Sequence, residues 1–166
     1  MDRKKRLVLC SIFFVELWRG GKVLSAHPNL RDLHQKLSVA AYVGGPDYEL
    51  ELQTLLQHPQ IHTVINLQDQ EGETVLMKAV YKQHKKIIEL LLACEQLDPN
   101  QPYKEGTTPL MMAVETKNEA LVKPFLDSPR VDPNCANKEG TTALMMAVAK
   151  QHKKIIELLL ACEQLD

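Results

Sequence analysis

TVLMKAVYKQHKKIIELLLACEQLD, Thr74 to Asp98, returns at Thr142 to Asp166 as TALMMAVAKQHKKIIELLLACEQLD. Only Val75/Ala143, Lys78/Met146 and Tyr81/Ala149 differ, and the offset is 68 residues. Halfway between lies a looser copy, TPLMMAVETKNEALVKPFLDSPRVD, Thr108 to Asp132. The period is therefore 34, and Gly72/Gly106/Gly140, Ala79/Ala113/Ala147 and Asn66/Asn100/Asn134 keep it. A fixed period of this length means stacked repeats, each burying an apolar face against its neighbours.

Within a unit, Asp-Pro-Asn opens the segment (Asp98-Pro99-Asn100; Asp132-Pro133-Asn134) and a turn holding Glu-Gly follows (Glu71-Gly72; Glu105-Gly106; Glu139-Gly140). Glycine takes positive φ without steric cost, which suits a tight turn. Thr74, Thr108 and Thr142 then stand where a hydroxyl can cap a helix, and Pro109 falls at a first helical position, where a missing N–H costs nothing. Leu76, Ala79 and Val80 predict a short first helix with one apolar face. Lys82–His84 turns the chain. Ile87, Ile88, Leu90, Leu91 and Leu92 predict a second helix that is apolar nearly all round and needs cover on several sides. Pro124 inside the middle copy predicts a kink or an early end.

Upstream, Leu33 to Val43 suits a helix with Leu37, Ala40 and Ala41 on one face. Gly44-Gly45-Pro46-Asp47 breaks it, with Asp47 the expected cap of a helix over Tyr48 to Gln57 that turns Leu52, Leu55 and Leu56 inward. His58-Pro59-Gln60-Ile61 parallels Ser128-Pro129-Arg130-Val131, with two extra residues before Asn66. The organisation is then a basic, partly apolar segment (1–29), a degenerate capping repeat (30–65) and three regular repeats (66–99, 100–133, 134–166), the last without a cap. Ile156, Leu159 and Leu160 are expected to lack cover on the far side, which implies more chain, a dimer or a partner, so that self-association through this C-terminal face is one expectation.

These units resemble the ankyrin repeat, a turn with G-x-T-P-L-H-x-A followed by two antiparallel helices and D-x-N. Gly106-Thr107-Thr108-Pro109-Leu110-Met111-Met112-Ala113 matches best, and Gly140 to Ala147 next. The resemblance is strong over 66–166 and weaker over 30–65. It implies an all-α repeat solenoid of stacked helix–turn–helix units joined by β-turn or hairpin fingers. The tetratricopeptide repeat shares the period, but its Trp, Leu-Gly and Tyr landmarks are missing. The departures are specific. Met77, Met111 and Met145 replace a histidine that links neighbouring turns, and thioethers are expected only to pack. Gln83, Lys117 and Gln151 replace a turn glycine, at a cost in strain. The glycine after the second helix is also gone. His84 and His152 stand where the family uses a histidine to cap the turn.

Charge and chemistry narrow the function. Residues 1–31 carry seven Lys/Arg against Asp2 and Glu16, and the rest carries 13 against 19, so +5 and −6. An acidic repeat body is a poor match for phosphate backbones, and no nucleic acid is expected as partner. Lys82–Lys86 and Lys150–Lys154 read as solvated helix starts. Glycine never clusters into a phosphate loop, so no cofactor is expected. His58 and His62 are four apart, but Pro59 breaks the helix that would align them on a metal. His84 and His152 are one position in two units, not a catalytic pair. Cys94 and Cys162 are equivalent sites, roughly 20 Å apart at helix-packing spacing, beyond the about 7 Å that a disulfide allows. The four cysteines therefore read as free thiols.

Residues 1–26 combine a basic start, the apolar run Leu7 to Val15 and small Ser25-Ala26, the outline of a secretory signal. Glu16, Arg19 and Lys22 argue for an N-terminal arm or docked helix instead. The first reading makes the protein secreted, the second cytoplasmic. The run is too short for a membrane span, which takes about 20 residues.

No enzyme is expected. The resemblance implies a scaffold that holds a partner protein in a concave groove lined by turn fingers and first helices. Carried over, the groove residues are Gln70, Glu71, Glu73, Lys78, Tyr81 and Lys82, then Lys104, Glu105, Thr107, Met112, Glu115 and Thr116, then Lys138, Glu139, Thr141, Met146, Ala149 and Lys150. Tyr81 and Met112 are the expected anchors, because large side chains concentrate binding energy. Two alternatives stand beside this: the ankyrin end of a larger or truncated protein whose active domain is missing, and an exported effector-like protein.

Overall fold

A computed structural model describes residues 28–162. The candidate signal segment and Cys10 lie outside the described residues. The chain forms α1 (Pro28–Val43), α2 (Pro46–Leu56), α3 (Ile61–Val64), α4 (Val75–Tyr81), α5 (Lys85–Leu92), α6 (Pro109–Glu115), α7 (Glu119–Leu126), α8 (Ala143–Ala149) and α9 (Lys153–Leu160). Among the described residues there is no strand, only one isolated bridge between Ala136 and Thr142. None of these helices is long and apolar enough to cross a membrane.

The helices stack in pairs. First helices follow one another (α1, α4, α6, α8), as do second helices (α2, α5, α7, α9). Thr74, Thr108 and Thr142 each accept the N–H of the residue three on, at 3.3 Å, and so start α4, α6 and α8. Leu76, Ala79 and Val80 are fully buried. Alanine at the contact lets the next first helix approach closely. Ile87, Ile88, Leu91 and Leu92 are buried between the units before and after α5.

Several local expectations are revised. α1 begins at Pro28 rather than Leu33, because Leu30 extends the buried stripe of Leu33 and Leu37. Asp47 does not cap α2: Gly45 occupies that position, Pro46 starts the helix, and Asp47 lies in its first turn, where an acidic group suits the helix dipole. The extra residues before Asn66 form α3, which buries Ile61 and Val64. Pro124 neither ends nor shortens α7, which spans 8 residues as α5 and α9 do. The carbonyl that Pro124 leaves without a donor belongs to Ala120, an exposed residue that water can serve.

Polar side chains tie the units together. Asp98 and Asp132 accept the N–H of Asn100 and Asn134 two residues on, at 3.0 and 2.9 Å, which closes each Asp-Pro-Asn turn. Asn66 donates to the Gln96 carbonyl and accepts from the Asp98 N–H, both at 2.8 Å. Asn100 does the same one unit on, with Arg130 and Asp132. Of the methionines that replace the family histidine, Met77 does more than pack: its thioether accepts the Thr74 N–H at 3.4 Å. His84 does not cap α5 with its side chain. Its Nε2–H reaches back 3.3 Å to the Tyr42 carbonyl. Gln83, Lys117 and Gln151 hold φ of 60°, 61° and 56°, the strained left-handed region.

Arg130 of the following unit closes over the turn after α5. Its guanidinium donates to the carbonyls of Leu92, Cys94, Glu95 and Leu97. Leu92 is the last residue of α5, whose carbonyl has no partner within the helix, and the other three acceptors lie in the turn beyond it; a cation there also suits the helix dipole. Arg130→Ala is expected to lower unfolding free energy by about 2 kcal/mol. Lys117→Gly is expected to raise it by about 0.5–1 kcal/mol as backbone strain is relieved. Urea titration of each variant against wild type checks both.

Candidate partner-binding surface

The fingers share two backbone hydrogen bonds, although in the middle one Lys104–Gly106 forms a 3-10 turn with Glu105 at φ 59°. In each, a glycine N–H closes a turn onto the residue three before it (Gly72 to Asp69, Gly106 to Tyr103, Gly140 to Asn137), and that residue's N–H bonds the carbonyl four residues on. Gly106 has a second reason to be glycine: a Cβ there would lie 3.1 Å from the Asn137 backbone of the next finger. Neighbouring fingers are joined by Gln68 Nε2 to the Pro102 carbonyl at 2.8 Å and by Lys138 N–H to the Glu105 carbonyl at 2.9 Å. With the backbone satisfied, the tip side chains face outward. Gln70, Glu71, Lys104, Glu105, Lys138 and Glu139 are exposed, as are Tyr81, Glu115, Ala149 and Lys150 on the first helices and their ends. Glu73, Lys82, Thr107, Met112, Thr116, Thr141 and Met146 are half-buried, with Met112 and Met146 packed on the core.

Lys78 departs from this surface. It is buried, and its ammonium lies 2.7 Å from the Asp69 carboxylate, with the two side chains 6% and 13% exposed. Asp69 also accepts the N–H groups of Glu71 and Glu73 at 2.9 Å, so one carboxylate shapes the finger and neutralises the lysine. Lys78 is therefore withdrawn from any partner. Periodicity does not reveal this, since Asp69 has Tyr103 and Asn137 as counterparts. An acidic residue in the finger of the one regular repeat with lysine on its first helix is the available signal.

The surrounding titratable groups respond to burial. Burial pushes the Asp69 carboxyl up, but the Lys78 ammonium and the finger N–H groups outweigh it and hold the group below the usual carboxylate range. Glu73 is raised, by burial and then by the Asp69 charge. Burial lowers His34, against the bond to the Val64 carbonyl. Neutral His34 fits its contacts, with Nδ1–H donating to that carbonyl at 3.2 Å and Nε2 accepting the Ser38 hydroxyl at 3.5 Å.

The remaining chemical candidates hold structural positions. His58 Nδ1 accepts the Gln60 N–H at 3.2 Å. His84 and His152 stand separately at the starts of α5 and α9. Cys94, Cys135 and Cys162 are free thiols. Burial raises the Cys135 pKa, as does its hydrogen bond to Asp132, which makes it a poor nucleophile.

A family model described as ankyrin repeats in three copies matches residues 37–135 and 113–166, more than half of the chain. Solved structures match in 297 chains, so the likeness concerns a common architecture. One is the crystal structure of the ankyrin repeat domain of Bcl-3, a unique member of the IkappaB protein family. It is 24% identical with a TM-score of 0.67, over 75% of this chain and 55% of that one. This chain thus spans about half the length of that domain, and at that identity the likeness speaks for the fold. A search of curated proteins found no match.

The ion pair and His34 set a pH dependence. The folded pKa of His34 lies below its unfolded value, so its contribution is complete above about pH 6.5 and is lost as pH falls. Asp69 follows with the same sign, its contribution complete above about pH 3.9 and lost on further acidification. Glu73 has the opposite sign, contributing at low pH and losing this as pH rises through its raised value. Stability is expected to decline from neutral pH toward pH 5 and to do so less in His34→Gln. Asp69→Asn retains the finger geometry that Asn137 has in its place, yet removes the Lys78 counter-charge. Its expected cost is about 3 kcal/mol at neutral pH. Urea titrations across pH check all three statements.

Proposed function

The chain belongs to the ankyrin-repeat family, and on that premise we propose that it is a non-catalytic scaffold holding a partner protein against its fingers and first helices. Ankyrin repeats are in general protein–protein interaction modules. The observation that carries the reading is the division of labour within each unit. Second helices and inner faces are consumed by stacking, while Gln70, Glu71, Lys104, Glu105, Tyr81 and Glu115 remain exposed on a rigid, internally bonded frame. Such preorganised side chains bind at low ordering cost. Tyr81, 66% exposed, is the principal anchor and Met112, half-buried, a secondary one. For a partner isolated on the immobilised protein, Tyr81→Ala is expected to weaken binding roughly 10- to 30-fold without altering the melting temperature. Unchanged affinity removes Tyr81 as an anchor, and insensitivity to finger charge reversals at Lys104 and Lys138 as well removes the whole surface.

A second reading concerns the face that α8 and α9 turn away from the array. Met145, Val148 and Leu160 are 57%, 54% and 61% exposed, whereas their counterparts Met77, Val80 and Leu92 are buried under the next unit. Leu159, expected on that face, is buried inward. An apolar face of this kind is covered by a second copy in this reading. Sedimentation equilibrium is expected to show concentration-dependent dimers for the full chain and monomers for Val148→Glu/Leu160→Glu. A monomer at every concentration overturns it.

A further inference from the structure

Tyr42 lies at the end of α1 in the first unit. Tyr81 ends α4 in the second, and Lys82 is its cap. The Lys82 ammonium stands 3.9 Å from the centroid of the Tyr42 ring and 5.4 Å from that of Tyr81. The rings are 40% and 66% exposed. The cluster is held from behind. The Lys82 N–H bonds the Lys78 carbonyl at 3.0 Å, and the Tyr42 carbonyl receives His84. The His84 ring lies flush on Gly44, where an added Cβ would come within 2.4 Å of it.

Lys150 is the counterpart of Lys82 in the fourth unit, and it pairs with Glu115 of the preceding unit at 3.3 Å. Lys138 pairs with Glu105 at 3.5 Å. Lys82 instead meets an aromatic ring from its preceding unit, and among the described residues no carboxylate pairs with it. Its neighbours in sequence are neutralised: Lys78 by Asp69, Lys85 by Glu89, Lys86 by Glu49. Lys82 thus lacks the carboxylate partner that each of these neighbouring lysines has.

We propose that Tyr42, Lys82 and Tyr81 form the recognition point for an acidic residue of the partner, a carboxylate flanked by an apolar side chain in a peptide segment. This rests on the partner-binding reading above and names the chemistry it selects. The ring faces hold the ammonium by their quadrupoles and restrict it before binding. An incoming carboxylate gains a charge-assisted hydrogen bond with no ion pair to displace, whereas at Lys150 it competes with Glu115. The exposed tyrosine rings cover the neighbouring apolar residue. Among the described residues Lys82 is the cation placed over both rings, which matches one carboxylate rather than a phosphate polyanion, since the latter needs clustered positive charge.

The probe is a phage-displayed library of random linear peptides selected on the full-length protein, with the recovered peptides synthesised and titrated by calorimetry. Selected peptides are expected to carry Asp or Glu beside an aromatic or aliphatic residue. Lys82→Gln is expected to weaken them about tenfold and Lys150→Gln to leave them unchanged. Replacing the peptide's acidic residue by its amide is expected to abolish the difference between wild type and Lys82→Gln. Melting curves confirm that each variant is folded. Peptides without acidic residues, acidic peptides indifferent to Lys82→Gln, or no binders at all overturn the proposal. Peptides that ignore Lys82→Gln but lose affinity on Lys104→Glu/Lys138→Glu overturn it while leaving the partner-binding surface intact. Peptides indifferent to all of these substitutions remove both.

Discussion

Everything in this molecule depends on one constraint: a unit of two short helices cannot cover its own apolar surface. α4 and α5 have 7 and 8 residues, too few to be stable alone in water. Their stability comes from the units on either side, which bury Leu76, Ala79, Val80, Ile87, Ile88 and Leu91 completely or nearly so. Apolar stacking alone leaves the rotation of one unit against the next loosely defined. The two-way amide bonds of Asn66 and Asn100 and the guanidinium of Arg130 add direction, because each meets backbone groups of the adjoining unit at fixed geometry. A hydrogen bond contributes about 1 kcal/mol net, so these bonds define the stacking geometry more than they drive it.

The same constraint decides where function can sit. Second helices bury their apolar faces against their neighbours and keep a charged outer face in water, whereas fingers need only their backbone turns and a few cross-bonds. Side chains on the fingers and outer first helices are thus free to vary without disturbing the stack. The charges there are not uniform along the array. In the third and fourth units lysines and glutamates satisfy one another across the interface, at Lys138–Glu105 and Lys150–Glu115, as Lys154 and Glu119 do on the second helices. At the first interface Lys86 likewise pairs with Glu49, but Lys82 meets the Tyr42 ring where Lys150 meets Glu115.

Periodic features were legible in the sequence, because the cause of each recurs. The threonine caps and the glycine turns rest on local chemistry repeated three times, and the inward Leu-Ala-Val set and buried second-helix faces recur wherever a following unit covers them. What period cannot show is a residue present in one unit only. Arg130 has Gln96 and Gln164 as counterparts, so the period gives no sign of its clamp on the turn after α5. The tolerance of Pro124 depends on Ala120 facing solvent, which is a matter of helix rotation in the stack. Lys78 was misplaced for a similar reason, since its fate is set by Asp69 nine residues earlier and not by its position on the helix. On the last unit the exposure falls on Met145 and Val148 of the first helix as much as on the second, because the next unit normally covers both.

The three differences between the near-identical copies can be read in this light. Val75 and Ala143 are both buried, so that exchange is one of core volume. The other two lie where the first helix meets the fingers and solvent. Lysine at 78 is tenable because Asp69 stands in its finger. In the last unit the counterpart of Asp69 is Asn137, which keeps the turn through the same two N–H bonds but offers no charge. A lysine at 146 would lose its counter-ion there, and methionine, which needs none, packs on the core instead. Tyr81 and Ala149 are both exposed, so packing dictates neither. The stretch from Lys82 to Asp98, by contrast, is matched residue for residue by Lys150 to Asp166. The second helices in these stretches bury corresponding residues, Ile87 and Leu91 in one copy and Ile155 and Leu159 in the other. Stacking and surface thus act on different residues of one repeat, and the freedom left to the first helix allows one unit to carry a tyrosine where its twin carries alanine.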